Sequence, residues 1–355
     1  VLMMPLNLNK IEGDSTRAYK KAILDQRVMR ISPDFYSGAL LAAEKARSLG
    51  INVNLRKFDT RQNVGRVNDI INANNFSNAD AVIGPFLQNT TEAAAAKLRT
   101  QGVPVISPLS NRSMRPMANL FQSRPTDDML AEAMLSYLEQ KAQGKNLVII
   151  ADAGSNAIKN RLRGMYPTAR FIRIVNGHES EGKWGKAMVE GRDNWVILES
   201  ENVAVLSSAT SALNRLARNR NITLFTTNKN NSYDSDAINI QHLAKLNFHY
   251  PSVDREYDSE TSAEFLENYK ERYGSTPNQY AVRGYDLTLD ILLRLASAED
   301  LYESFERYRG YTEYHENKFH YSPRSGGGFL NDAVYIVRID NDLKIRDVND
   351  FKRNL

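Results

Sequence analysis

Two loops carry side chains suited to holding a small polar ligand. A predicted strand ends at Gly84-Pro85 and leads into Phe86-Leu87-Gln88-Asn89-Thr90-Thr91. A helix beginning near Asn89 or Thr90 would aim backbone N–H groups and the positive end of its dipole at a carboxylate, with Gln88 beside it. Asn89 and Thr90 suit the plain role of helix N-cap equally well, and the two roles are compatible. The next predicted strand ends in Ser107-Pro108-Leu109-Ser110-Asn111, where hydroxyls and an amide supply both donors and acceptors. Serine and asparagine also suit an ordinary turn there.

Other spacings resemble catalytic or metal motifs and fall short. Gly177-His178-Glu179-Ser180-Glu181-Gly182-Lys183-Trp184 nearly spells a phosphate loop, but Trp184 stands where a magnesium-ligating hydroxyl is needed, and two glutamates would face the phosphates. Ser180 and Lys183 fit a Ser-x-x-Lys nucleophile pattern without its companion motifs, and no Gly-x-Ser-x-Gly elbow exists. His315 and His320 are five residues apart, so on a helix they would diverge, whereas a zinc-binding pair needs a spacing of four. The chain has no cysteine, which excludes disulfides, thiolate catalysis and thiolate-bound zinc. No enzyme chemistry, metal or cofactor is expected. Tyr302, Tyr308, Tyr311, Tyr314 and Tyr321 form a tract that could line a partner surface, or simply cover a domain edge with wet hydroxyls.

The elements that would position these loops follow a βαβ rhythm. Runs at Val1–Leu6, Val53–Phe58, Ala81–Gly84, Pro104–Pro108 and Leu120–Gln122 read as strands, and Asp34–Leu49, Val64–Asn74 and Thr90–Thr100 as helices. In Asp34–Leu49 the residues Phe35, Ala39, Ala42, Ala43, Ala46 and Leu49 form one apolar stripe, and Gly50 can end it. Continuous apolar strands between helices imply a parallel sheet covered on both faces. The rhythm restarts after Arg124-Pro125: helix Asp127–Gln143, strand Leu147–Ala151, helix Asn156–Met165, strands Phe171–Val175 and Trp195–Leu198, helix Val203–Ala217 and strand Thr223–Thr226. Helices Glu260–Tyr273 and Asn278–Ala296 follow, then Ser325-Gly326-Gly327-Gly328 and a late strand Val334–Ile339. With 355 residues, two domains are expected. The net charge of +4 comes from 46 basic and 42 acidic residues that alternate along the helices, so no nucleic-acid-binding stripe arises. No apolar run is long enough to span a bilayer and no signal peptide opens the chain, so a soluble segment is expected. Because Val1 reads as mid-strand, the chain is expected to be a mature fragment of something longer.

Leu2-Met3-Met4-Pro5-Leu6, the run Asp34–Ala43, Phe58-Asp59-Thr60, Val82-Ile83-Gly84-Pro85 and Val103-Pro104-Val105-Ile106-Ser107-Pro108 together resemble the type I periplasmic binding proteins, the superfamily of the branched-chain amino acid receptors of ABC transporters. The nearer likeness is to a Bacteroidetes group in which this module follows LysM peptidoglycan-binding repeats, of which none is present here. A second relative in architecture is the lipoprotein activator of a peptidoglycan synthase. The resemblance implies two three-layer α/β/α lobes with mostly parallel sheets, joined by three crossovers near Gln122–Pro125, Tyr250–Ser252 and Pro323–Gly328. Lobe 1 would take residues 1–122 plus 252–324 and lobe 2 residues 123–251 plus 325–355, with a ligand cleft at the carboxyl ends of both sheets.

In such receptors the loop at Gln88–Thr90 holds the ligand's carboxylate, and the loop at Ser107–Asn111 its charged groups. Lobe 2 departs from the pattern. The loop Asp152-Ala153-Gly154-Ser155-Asn156 has no tyrosine, and Thr227-Asn228-Lys229-Asn230 has no acid, so Asp152 or Glu199 would have to meet an ammonium group. The expectation is a non-catalytic, exported module of the periplasm or outer membrane, binding a small polar ligand such as an amino acid, peptide or cell-wall fragment. Its site residues would be Gln88, Asn89, Thr90, Ser107, Ser110, Asn111, Asp152, Ser155, Glu199 and Asn228. The alternative is a cell-envelope scaffold or regulator that binds a protein partner or peptidoglycan-linked machinery and no longer binds amino acids.

Overall fold

Short apolar strands, buried on both faces, organise each half of the chain. The computed structural model describes residues 1–8, 27–175, 178–179 and 183–348. These divide into one unit of Val1–Thr126 with Tyr257–Ala333, and another of Asp127–Glu256 with the residues from Val334 onward.

The first unit begins with β1 (Leu2–Met4), β2 (Lys57–Asp59), β3 (Val82–Ile83), β4 (Val105–Ser107) and β5 (Leu120–Gln122). Leu2, Met4, Ile83, Ile106 and Phe121 pack with Phe35 and Ala39 of helix Arg27–Ser48 and with Leu287 and Ile291 of helix Gln279–Ser297. Met3, Val82, Val105 and Leu120 pack the other way, onto Val67 and Ile70 of helix Val64–Ala73 and Ala94, Ala95 and Leu98 of helix Gln88–Leu98. Successive side chains thus enter different helical layers, which is why these strands read as unbroken apolar runs. Every ladder among these five strands is parallel.

The second unit supplies β6 (Asn146–Ala151), β7 (Arg170–Val175), β8 (His178–Glu179), β9 (Asp193–Glu199), β10 (Asn221–Phe225) and β11 (His249–Ser252). Val148, Ile150, Val196, Leu198 and Leu224 pack on helix Val203–Leu216, whereas Ile149, Ile197 and Phe225 pack on helices Asp127–Lys141 and Asn156–Met165. The first unit is completed by helices Ala263–Tyr273, Gln279–Ser297 and Leu301–Arg307, the small hairpin β12 (Thr312–Glu313) and β13 (Lys318–Phe319), then β14 (Tyr321–Pro323) and β15 (Phe329–Asn331). The second unit ends with β16 (Tyr335–Ile339) and β17 (Ile345–Asp347). Among the described residues the first sheet runs β14-β15-β5-β4-β3-β1-β2 and the second β17-β16-β11-β10-β9-β6-β7-β8. Each is an α/β/α sandwich, antiparallel only at its edges.

Several sequence expectations are corrected. The helix expected from Asp34 begins at Arg27 and carries Pro33 inside it; proline favours the first helical turn, which makes it read as a start. The helix expected from about Thr90 begins at Gln88. Strand β2 begins at Lys57 rather than Val53, because only Leu2–Met4 pairs with it, opposite Lys57–Asp59. Ser325–Gly328 is no crossover but the turn between β14 and β15, and β15 joins the first sheet with Phe329 opposite Phe121, so residues 325–333 belong to the first unit. A β-carbon at Gly328 would lie 2.4 Å from the carbonyl oxygens of Leu120 and Met117, so the turn presses on the start of β5. The tyrosine tract is split. Tyr308 and Tyr311 are exposed at 48% and 65%, while Tyr321 is buried among Phe121, Phe305 and Phe319, and Tyr314 donates its hydroxyl to Asp290 at 3.1 Å. Among the described residues no helix is long and apolar enough to cross a membrane.

Candidate functional site

In the first unit the loops in question leave the carboxyl ends of β3, β4 and β5. Gly84, at φ +98°, lets β3 end against β1: a β-carbon there would sit 1.9 Å from the Met3 carbonyl oxygen. Beyond it, helix Gln88–Leu98 starts with Leu87 at the cap position, whose side chain makes no cap hydrogen bond. Asn89 and Thr90 therefore lie inside the helix, not at its cap. The Thr90 hydroxyl donates to the Leu87 carbonyl at 2.9 Å, and that of Thr91 donates to Pro85 at 2.6 Å. Asn89 is exposed; its Oδ1 accepts the Thr90 N–H at 2.9 Å.

Gln88 acts as a clasp. Its Nε2 donates to the Ser113 carbonyl at 2.9 Å and to Glu92 Oε1 at 3.1 Å, while Glu92 also accepts the Arg115 backbone N–H and Nε, each at 3.1 Å. Burial works against ionisation of Glu92, but hydrogen bonds from Arg115 and Gln88 outweigh it and hold the carboxyl below its ordinary range. The clasp pins the loop after β4 to the helix start. Gln122, at the end of β5, pins it from the other side by donating Nε2 to the carbonyls of Arg112 at 3.1 Å and Ser110 at 3.5 Å. Ser110 and Asn111 are half-buried on this loop. Ser107 lies beneath, fully buried, with a hydroxyl that meets no partner.

The first-unit candidates thus form one patch: Gln88 and Asn89 at the helix start, joined through Ser113 to the loop of Ser110 and Asn111. Glu92, Arg115 and Gln122 were missed by sequence reasoning, because their partners are distant in the chain. A further missed group had a legible signal. Arg283, Asp286, Asp290 and Arg294 recur at helical spacing on an otherwise apolar helix, and all four are buried.

In the second unit the candidates form two knots. Asp152 Oδ1 accepts the Ser155 N–H at 3.1 Å and hydroxyl at 3.2 Å, and its Oδ2 accepts the Ser200 hydroxyl. Glu199 accepts the Thr227 N–H at 2.6 Å and hydroxyl at 3.0 Å, and the Thr226 hydroxyl at 3.5 Å. Burial pushes the Glu199 carboxyl up to about 7, against those hydrogen bonds. Both acids spend their oxygens on hydroxyl and backbone N–H groups of the second unit, most of them on neighbouring loops. Asn228, on the loop that Glu199 holds, is exposed.

The motif-like stretches do not assemble. Gly177, Ser180, Glu181 and Gly182 lie outside the described residues, while Trp184 is buried in the core of the second unit. His315 and His320 flank β13 rather than share a helix. His315 Nδ1 lies 2.8 Å from the hydroxyl of Ser262, a serine only 1% exposed and so out of a substrate's reach. His320 Nδ1 lies 2.5 Å from Asp332. Among the described residues no group of three or more metal-ligating side chains occurs.

The family described as periplasmic binding protein matches residues 30–161, less than half of the chain. No curated protein matches the sequence. Among solved structures, a putative branched-chain amino acid ABC transporter from Rhodospirillum rubrum aligns with a TM-score of 0.61 at 14% identity, covering 98% of each chain. A branched chain amino acid ABC transporter periplasmic ligand-binding protein from Burkholderia xenovorans LB400 aligns at 0.56 and 11%, covering 98% of this chain and 93% of that one. An ABC transporter substrate-binding protein from Desulfitobacterium hafniense, complexed with Leu, aligns at 0.52 and 17%, covering 98% of each. The fold is the two-lobed type I periplasmic binding protein fold.

Proposed function

We propose that this chain is a non-catalytic, exported ligand-binding module that takes a small polar ligand at the carboxyl-end rim of its first sheet. One observation carries the reading. At the start of helix Gln88–Leu98 the cap residue Leu87 offers no side-chain hydrogen bond and Asn89, exposed, covers only the Thr90 N–H, with the Ser110–Asn111 loop clasped beside it. A helix start whose cap residue has no side-chain acceptor receives a carboxylate or similar anionic group, and the loop supplies neutral donors and acceptors. In the second unit Asp152 and Glu199 are already bonded to Ser155, Ser200, Thr226 and Thr227. An anionic ligand without an ammonium group, or one whose ammonium is blocked as in a peptide bond, suits the first unit's rim better than a free amino acid, because the carboxylate there, Glu92, is already held by Gln88 and Arg115. Ligands of fold relatives such as the Leu-bound protein enter only as starting compounds for a screen.

Thermal scanning against amino acids, di- and tripeptides, small carboxylates and soluble peptidoglycan fragments tests the proposal. A ligand held only by the folded rim at about 100 times its Kd adds about 2.7 kcal/mol, or roughly 5–10 °C for a unit of this size. No shift from any compound contradicts it.

The spent acids of the second unit favour one further reading, a cell-envelope scaffold of the periplasm or outer membrane working beside peptidoglycan-binding LysM repeats. Under that reading the compounds are inert and the full-length protein is retained by cell-wall material or by an envelope protein.

A further inference from the structure

We infer that Arg283 is the positioning residue of the first unit's ligand rim, an assignment that rests on the ligand-binding reading. Arg283 sits on helix Gln279–Ser297 and is 7% exposed. Its Nε donates to the Pro108 carbonyl at 3.1 Å, its Nη2 to the carbonyl and hydroxyl of Ser123 at 2.9 and 2.8 Å, and its Nη1 to Asn317 Oδ1 at 2.7 Å. The Phe319 ring lies 5.1 Å beneath it.

Pro108 and Ser123 are the first residues after β4 and β5. One rigid fork therefore ties the residue that opens the Ser110–Asn111 loop to the carboxyl end of β5, where Gln122 pins that loop. Ser123 extends the same grip: its hydroxyl reaches the Ser107 carbonyl at 2.6 Å. Asn317 is fixed in turn by Asp286, whose Oδ2 accepts the Asn317 backbone N–H at 3.1 Å and its Nδ2 at 2.8 Å. A planar guanidinium reaches four acceptors on three residues in different directions at once; lysine, a point charge on a flexible stem, cannot.

Amide hydrogen exchange on Arg283→Met and Arg283→Lys tests the assignment without a ligand. Methionine keeps the apolar contact with Phe319 and removes every donor. Exchange should accelerate about tenfold to a hundredfold in residues 107–113 and 122–124, with helix Val64–Ala73 and the second unit unchanged. Lysine, which keeps the charge and serves if the methionine variant does not fold, should give the same pattern at smaller amplitude. Uniform acceleration across the first unit would mark Arg283 as a general fold residue and overturn the assignment, as would no change in either variant. Failure of the ligand reading shows instead as a silent compound screen alongside this local exchange pattern.

Discussion

Gly284→Ala is expected to destabilise the first unit by about 3 kcal/mol or more, lowering its melting midpoint by roughly 6–12 °C. In an exposed helix the same change would stabilise by about 1 kcal/mol, because alanine is the better helix former. Here packing reverses the sign. Helices Arg27–Ser48 and Gln279–Ser297 cross in backbone contact, so that a β-carbon at Gly284 would lie 2.1 Å from the Phe35 carbonyl oxygen. The relation is reciprocal, since a β-carbon at Gly38 would lie 1.8 Å from the Ala281 carbonyl oxygen. Neither neighbour is a side chain that can swing aside, and the helices must move apart, opening the cluster of Ala42, Ala46, Val282 and Tyr285. Thermal unfolding of the single variants measures this, and a change of less than about 1 kcal/mol would mean the crossing is looser than described.

Glu199→Gln is expected to change how the second unit's stability depends on pH. Burial raises the Glu199 carboxyl from 4.5 to about 7, so the native state holds a proton that the unfolded chain releases above about 4.5. Stability is full below 4.5 and declines as pH rises to 7, by about 3 kcal/mol in total. His249 works in the opposite direction. Buried against Phe225 and close to Arg338, its imidazole is lowered from 6.5 to about 4, so stability is full above 6.5 and declines by a similar amount as pH falls to 4. Between pH 4.5 and 6.5 the two slopes nearly cancel, and the wild-type curve should be flat. Glutamine keeps an acceptor for the Thr227 N–H and has no charge to bury. Its curve should therefore climb from pH 4 to 6.5 and stand about 3 kcal/mol above wild type beyond pH 7. Denaturant unfolding across this range reads the difference, and parallel wild-type and variant curves would contradict the burial of Glu199.

The sandwich of each unit was legible because local pattern and burial agree: strands such as Leu2–Met4 and Val148–Ile150 are apolar on both faces, and only a sheet covered on both sides needs that. The loops at Gly84–Thr91 and Ser107–Asn111 were legible for a related reason, since they follow strand ends marked by proline and polar residues. What the side chains do there was not. Gln88 is spent on Ser113 and Glu92, and Asp152 and Glu199 on hydroxyls and backbone N–H groups, and Ser113, Ser200 and Thr227 each come from another turn or strand. Ser325–Gly328 misled for the opposite reason. A run of glycines reads as a flexible link, but here each adopts positive φ in a tight hairpin turn. The charged face Arg283, Asp286, Asp290 and Arg294 was open to inspection and signals a buried polar network, because four charges at helical spacing on an apolar helix need partners inside the fold.

Amide hydrogen exchange of the wild-type protein, with and without the standard amino acids, di- and tripeptides and soluble peptidoglycan fragments, tests the ligand-binding rim most directly. The account predicts that at least one compound slows exchange at Gln88–Thr91 and across Ser107–Asn111. Protection confined to other parts of the first unit, or no protection with any compound, would contradict it.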